Sequence, residues 1–185
     1  MKLLLIVLIA LAVSLLFWLI VTYNVLVRLR LRVKNAWAQI DVQLKRRHDL
    51  IPNLVEIAKG YMQYEKETLE KVIKARTQAT QATAIKEKQD AENFLTSALR
   101  SLFAVVERYP DLKANQNMLK LHEELTSTEN KISFARQYYN DEATRYNTSI
   151  KSFPTNIVAP VFNFKGEELF ELEDLAQKEP PKVSF

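Results

Sequence analysis

Residues 36–56 read AWAQIDVQLKRRHDLIPNLVE, and this stretch decides the fold because it joins an apolar N-terminal run to a long mixed domain. Val33, Trp37, Ile40, Leu44, Ile51, Leu54, Ala58, Tyr61, Leu69 and Val72 recur at spacings of mostly three and four, the buried stripe of one long amphipathic helix. Pro52 lies on that stripe. A proline removes one ladder hydrogen bond and crowds the preceding turn, so the sequence predicts a kink within a turn of Pro52 or a restart capped by Asp49. Lys45-Arg46-Arg47-His48 reads as a solvated cationic face, with a docking patch as the alternative.

Upstream, Leu3 to Val21 is an uncharged run of 19 residues. As a helix rising ~1.5 Å per residue it matches a hydrocarbon core of ~30 Å, so a transmembrane anchor is expected. A cleaved signal peptide is the rival reading. The run is long for one, however, and leads into Thr22-Tyr23-Asn24-Val25 rather than a small-x-small cleavage site. Trp18 and Tyr23 suit an interfacial aromatic belt. Only Lys2 precedes the span, whereas Arg28, Arg30, Arg32 and Lys34 follow it, so the positive-inside rule puts the N-terminus outside and the C-terminal domain in the cytoplasm. These four cations are candidate contacts for anionic lipid headgroups; a generic topology signal is the plainer role. Residues 26–33 alternate apolar and cationic, a strand-like period. Neither Gly nor Pro occurs before Ile51, so a single helix leaving the bilayer is the simpler account.

Downstream, Thr77 to Ala84 (TQATQATA) has no apolar face and is expected to fray a helix end or form the first connection. A second helix is predicted from about Asp90, with Phe94, Leu95, Ala98, Leu102, Val105 and Val106 on one side, ending near Tyr109-Pro110-Asp111. A third starts near Asn115. Its stripe is Met118, Leu121, Leu125, Ile132, Ala135, Tyr139, Tyr146, Ile150 and Phe153, with heptad-like spacing up to Phe153-Pro154. Beside it, Glu129, Arg136, Asn140 and Asn147 share one face. They are expected to form a polar layer between helices or a polar groove for a partner. Ile157, Val158, Val161, Phe162 and Phe164 should cover one end of the bundle. The segment from Lys165 holds three lysines against six acids and reads as a flexible acidic tail, in which Leu169, Phe170, Leu172 and Leu175 allow one amphipathic turn or contact with a partner.

The totals narrow the function classes. Two glycines, Gly60 and Gly166, leave no material for a Walker, Rossmann or nucleophile-elbow loop. There is no cysteine, and His48 and His122 sit in neither H-E-x-x-H nor the E-x-x-H spacing of di-iron bundles. His122-Glu123-Glu124 are adjacent helix positions that point apart. The net charge of +4 is concentrated in residues 28–47, which is not a nucleic-acid footprint.

Three blocks carry a family resemblance: AWAQIDVQLKRRHDLIPNLVE with GYMQYEKETLEKVIKAR, then AENFLTSALRSLFAVVERYPDLKAN, then TENKISFARQYYNDEATRYNTSIKSFPTNIVA. In this order they resemble the bacterial LemA family up to about Phe164. The resemblance implies a single-span anchor, a cytoplasmic antiparallel bundle of about four helices, and no catalytic site or cofactor.

The expected organisation is therefore all-α: an anchor at 1–27, a helical bundle at 28–164 and a tail at 165–185. The expected function is that of a non-enzymatic, single-pass cell-membrane protein acting as a scaffold or adaptor, by self-association as a homo-oligomer or with other membrane proteins. The alternative is a bundle that binds anionic lipid through its basic collar to shape or sense the membrane. No nucleic acid, small-molecule substrate, metal or cofactor is called for.

Overall fold

One helix carries the whole molecule. In the computed structural model, which describes residues 1–170, α1 (Lys2–Lys59) runs unbroken for 58 residues. At 1.5 Å per residue that is about 87 Å. Nearly all its large apolar side chains from Leu3 to Val25 are exposed, and Leu26 is the first to be fully buried. This N-terminal part is long and apolar enough to cross a membrane. The alternating residues 26–33 are helical, so their cations fall into two pairs one turn apart: Arg28 with Arg32, and Arg30 with Lys34.

Pro52 does not break α1, and no new helix starts at Asp49. The carbonyl that loses its donor to Pro52 is that of His48, four residues back. Arg76 supplies the replacement: its Nε donates to the His48 carbonyl over 2.8 Å.

The stripe running on through Tyr61 to Val72 belongs to two helices rather than one. The chain reverses after Gly60, Met62 plugs the turn, and α2 (Lys66–Gln81) starts a new helix on which Leu69 and Val72 are buried. Tyr61 is exposed. Ala58 and Leu69 are 11 residues apart, close to three turns at 3.6 residues per turn, so the stripe stays in phase across the break and periodicity alone hides it. The TQATQATA segment is helical as far as Gln81 and buries Ala79; Ala82 to Ala84 form the connection. Next, α3 (Ile85–Val106) begins five residues before Asp90, where the Glu87 carboxylate accepts from the backbone N–H groups of Thr83 and Ala84. Pro110 opens the one-turn α4 (Pro110–Lys113), at a position where its missing N–H costs nothing.

The last long helix, α5 (Gln116–Lys151), is capped by Asn115, whose Oδ1 accepts from the N–H groups of Asn117 and Met118. Its stripe is buried from Met118 to Tyr146 apart from the half-buried Leu121, but Phe153 lies beyond the helix and is exposed. A short α6 (Thr155–Val161) follows. Only part of this segment covers the bundle: Val158, Ala159 and Phe164 are buried, while Ile157, Val161 and Phe162 are exposed.

The four long helices alternate in direction. Trp37 meets Tyr139 and Arg47 meets Glu129, so ten residues forward along α1 are ten back along α5. Arg76 of α2 reaches back to His48, and α3 runs alongside α1, with Lys88 on Asp41 and Glu92 on His48. Among the described residues the protein is all-α, an up-down-up-down bundle extended by the apolar end of α1. Its core has two apolar regions. One centres on Ile51, Val72, Leu95, Leu102 and Leu112, the other on Leu26, Ile40, Ile132, Tyr139 and Tyr146.

Candidate functional site

Where the two apolar regions meet, charged side chains are buried. Arg47 and His48 fall on the inner face of α1 because they fill the seven-residue gap between Leu44 and Ile51, each one turn from both. They are not part of a solvated face; only Lys45 and Arg46 of that run are exposed. Arg47 pairs with Glu92 (3.4 Å) and Glu129 (3.0 Å) and donates to Thr96 (2.8 Å). Nε2 of His48 lies 2.6 Å from the Glu92 carboxylate, whose side chain is only 1% exposed. A buried carboxylate needs such partners, since an unpaired one in this interior would cost several kcal/mol (~3–5).

The polar face of α5 divides in two. Glu129 belongs to the Arg47 cluster. Arg136, Asn140 and Asn147 instead meet residues 165–170, which lie extended along α5. Asn147 donates to the Glu167 carbonyl (2.8 Å) and accepts from the Glu167 N–H (2.9 Å). Asn140 does the same for Phe170, at 2.9 and 2.8 Å. Tyr139 donates to the Glu168 carbonyl over 2.7 Å. The Phe170 ring enters a slot between the Arg136 guanidinium, 4.4 Å above it, and Trp37, 6.3 Å between centroids. Burial pushes the Arg136 pKa below its usual value, partly offset by Glu129 and Glu92. An arginine starts so high that it stays protonated. Burial, then Glu167 and Glu168, push the Tyr139 phenol up to about 12, which keeps it a donor.

Residues 165–170, assigned from the sequence to a flexible tail, are thus hydrogen-bonded to the bundle, and Leu169 and Phe170 form no helical turn. Leu172 and Leu175 lie outside the described residues. Sequence reasoning placed Tyr139 in the apolar stripe and Trp37 in the core, and missed that both reach this segment. It also missed Glu92, although Glu92 stands one turn before Leu95 on the inner face of α3.

Arg28, Arg30, Arg32 and Lys34 are all exposed, but they face different surroundings. Arg30 and Lys34 line one hollow with Trp37, Tyr139 and Glu167 and another with Tyr23, Phe162 and Phe164. Arg28 and Arg32 lie off those hollows, and Arg28 donates to the Asn24 carbonyl one turn back.

On a different side of α5, Phe134 and Tyr138 form an open apolar groove with Ala38 and Val42 of α1. Phe134 is 71% and Val42 62% exposed, which is high for large apolar residues on a packed bundle.

The LemA family model matches residues 36–185. Protein LemA of Metamycoplasma hominis is 28% identical over 153 residues, covering 82% of this chain and 70% of that protein. Magnetosome protein MamQ 2 of Paramagnetospirillum magneticum is 25% identical over 179 residues, 83% of this chain and 66% of its own length. Magnetosome protein MamQ of Magnetospirillum gryphiswaldense is 24% identical over 178 residues, with 82% and 65% covered. The chain thus spans about two thirds of the magnetosome proteins' length. With a bundle hung from an exposed apolar helix and a family match that starts at Ala36 and covers that bundle, this membrane-associated helical protein belongs to the LemA family.

Proposed function

We propose that the protein is a non-enzymatic scaffold that associates with further copies of itself at the cytoplasmic face of the cell membrane. In this reading α1 is a single-pass anchor with its N-terminus outside, an orientation supported by the excess of cations that follows the span. The observation that carries self-association is the apolar groove of Val42, Phe134 and Tyr138. It lies on the flank of the bundle, parallel to the long axis of α1, so copies held upright by the same anchor present it sideways to one another. Their confinement to one plane raises the local concentration, which compensates for a small contact area. The test is chemical crosslinking in intact membranes. Wild-type protein yields covalent dimers and the double variant Val42→Asp/Phe134→Asp does not; equal crosslinking of the two excludes this face. Loss of the C-terminal domain on protease treatment of intact spheroplasts from outside would reverse the orientation.

A second reading, direct lipid engagement, is favoured by the base of the bundle. Phe153, Ile157, Val161 and Phe162 are exposed there, and Phe162 packs on Tyr23 (5.0 Å) at the exit of the apolar run, in a hollow that Arg30 and Lys34 also line. Apolar side chains at that level suit the headgroup boundary, and nearby cations suit anionic lipid. In reconstituted protein, a probe on this segment should be quenched from the lipid phase in the wild type, and the variant Phe153→Ser/Ile157→Ser/Val161→Ser should lose that quenching. Unchanged quenching would exclude contact.

A further inference from the structure

The contacts that hold residues 165–170 are unusual in what they ignore. Asn147, Asn140 and Tyr139 bind the main chain of Glu167, Phe170 and Glu168, and none of them touches a side chain of that segment through these bonds. An asparagine amide carries one acceptor and a donor pair, so it can close a two-bond ring with the N–H and C=O of a single residue, as a neighbouring β-strand would. The spacing fits. Seven residues of α5 rise ~10.5 Å and three extended residues span ~10 Å, so an asparagine every second turn meets every third residue of an extended chain. The segment runs antiparallel to α5, 167 opposite 147 and 170 opposite 140.

Selectivity comes from two places. At Gly166 an added Cβ would stand 3.1 Å from Asn147 Oδ1, so any larger residue before the first clamped one would have to push the Asn147 amide aside by a few tenths of an ångström. At Phe170 the slot between Arg136 and Trp37 takes an aromatic ring, which is 2% exposed there. Glu167 shares its hollow with Arg30 and Lys34, which favours an acidic segment.

We propose that this face of α5 is a peptide-binding groove for an extended acidic segment of the pattern Gly-x-x-x-Phe. The partner that fills it from outside is residues 165–170 of a second copy, exchanged for the chain's own. Both copies carry the identical segment, so exchange breaks and remakes the same bonds, and its balance depends only on local concentration and on the connection. That connection is short and contains Asn163 at φ 56°, a left-handed residue between α6 and the clamp where the chain direction is set. The proposal deepens the self-association reading, yet it uses a different side of α5 from Val42 and Phe134.

The experiment places photoreactive benzoylphenylalanine at position 170 of the full chain and co-expresses it in membranes with a wild-type copy bearing a different tag. Illumination is expected to give a covalent dimer carrying both tags, with the attachment mapped to Trp37 or Arg136 of the second copy. Adding Asn140→Ala/Asn147→Ala to the acceptor copy is expected to cut that product at least tenfold. Crosslinks found only within one copy overturn the exchange, as does a dimer yield unchanged by the asparagine substitutions. Neither result touches the Val42/Phe134 interface, whose crosslinking is read separately.

Discussion

At the scale of single residues, Pro52 and Arg76 form a coupled pair. Arg76 serves a carbonyl that only the proline leaves free, so Arg76→Ala should cost about 1–3 kcal/mol, the penalty for an orphaned buried acceptor. In a Pro52→Ala background the backbone donor returns and the cost should fall below about 1 kcal/mol; a denaturant double-mutant cycle measures the difference. Glu92 holds both Arg47 and His48, and Glu92→Ala should lose about 3 kcal/mol, near the lower end for a broken buried pair because Glu129 still reaches Arg47. The two buried tyrosines should behave oppositely. Tyr146 Oη has no hydrogen-bond partner among the described residues, so Tyr146→Phe should hold or raise the melting temperature. Tyr139→Phe should lower it, because the Glu168 carbonyl loses its donor. The Tyr139 pKa is raised to about 12 in the folded protein against about 10 unfolded. The unfolded chain therefore releases this proton first as pH rises. The stability due to Tyr139 is complete below about pH 10 and disappears as pH climbs through about 12. In an alkaline denaturation series the wild type should lose more stability over that range than Tyr139→Phe, which keeps the contribution of Tyr146, whose phenol burial also pushes up.

Elements were legible to different degrees, for identifiable reasons. The stripe from Val33 to Ala58 and the one from Met118 to Ile150 gave α1 and α5, since one face of each is buried along its length. The reversal at Gly60 was hidden because its two flanking stripes are in phase. Arg47, His48 and Glu92 were misplaced or missed because polarity was taken to mean solvent, although their positions on the helix pointed inward; the gap from Leu44 to Ile51 was the available signal. The shared face of Arg136, Asn140 and Asn147 could be read from spacing alone. What binds there could not, because main-chain recognition leaves little trace in the sequence of the bound segment. The seating of that segment depends on Gly166, where a Cβ would crowd Asn147. Gly166→Ala should speed amide hydrogen exchange at Glu167 and Phe170 several-fold while leaving exchange in α3 unchanged; equal protection would mean that Asn147 gives way without losing its bonds.

For the whole molecule, the division into an exposed apolar end and a packed bundle followed from composition, and the continuity of α1 through both followed from the absence of Gly and Pro before Ile51. In the proposed reading, one continuous helix through both parts sets how the bundle stands over the membrane, and so which flank neighbouring copies see. Val42 and Phe134 occupy that flank. The measurement that bears most directly on the self-association account is the native mass of full-length protein extracted from membranes in mild detergent. The account predicts a closed multiple of the 21.5 kDa chain that shrinks in Val42→Asp/Phe134→Asp and falls to the single chain when Asn140→Ala/Asn147→Ala is added. A wild-type protein that runs as one 21.5 kDa chain would contradict it.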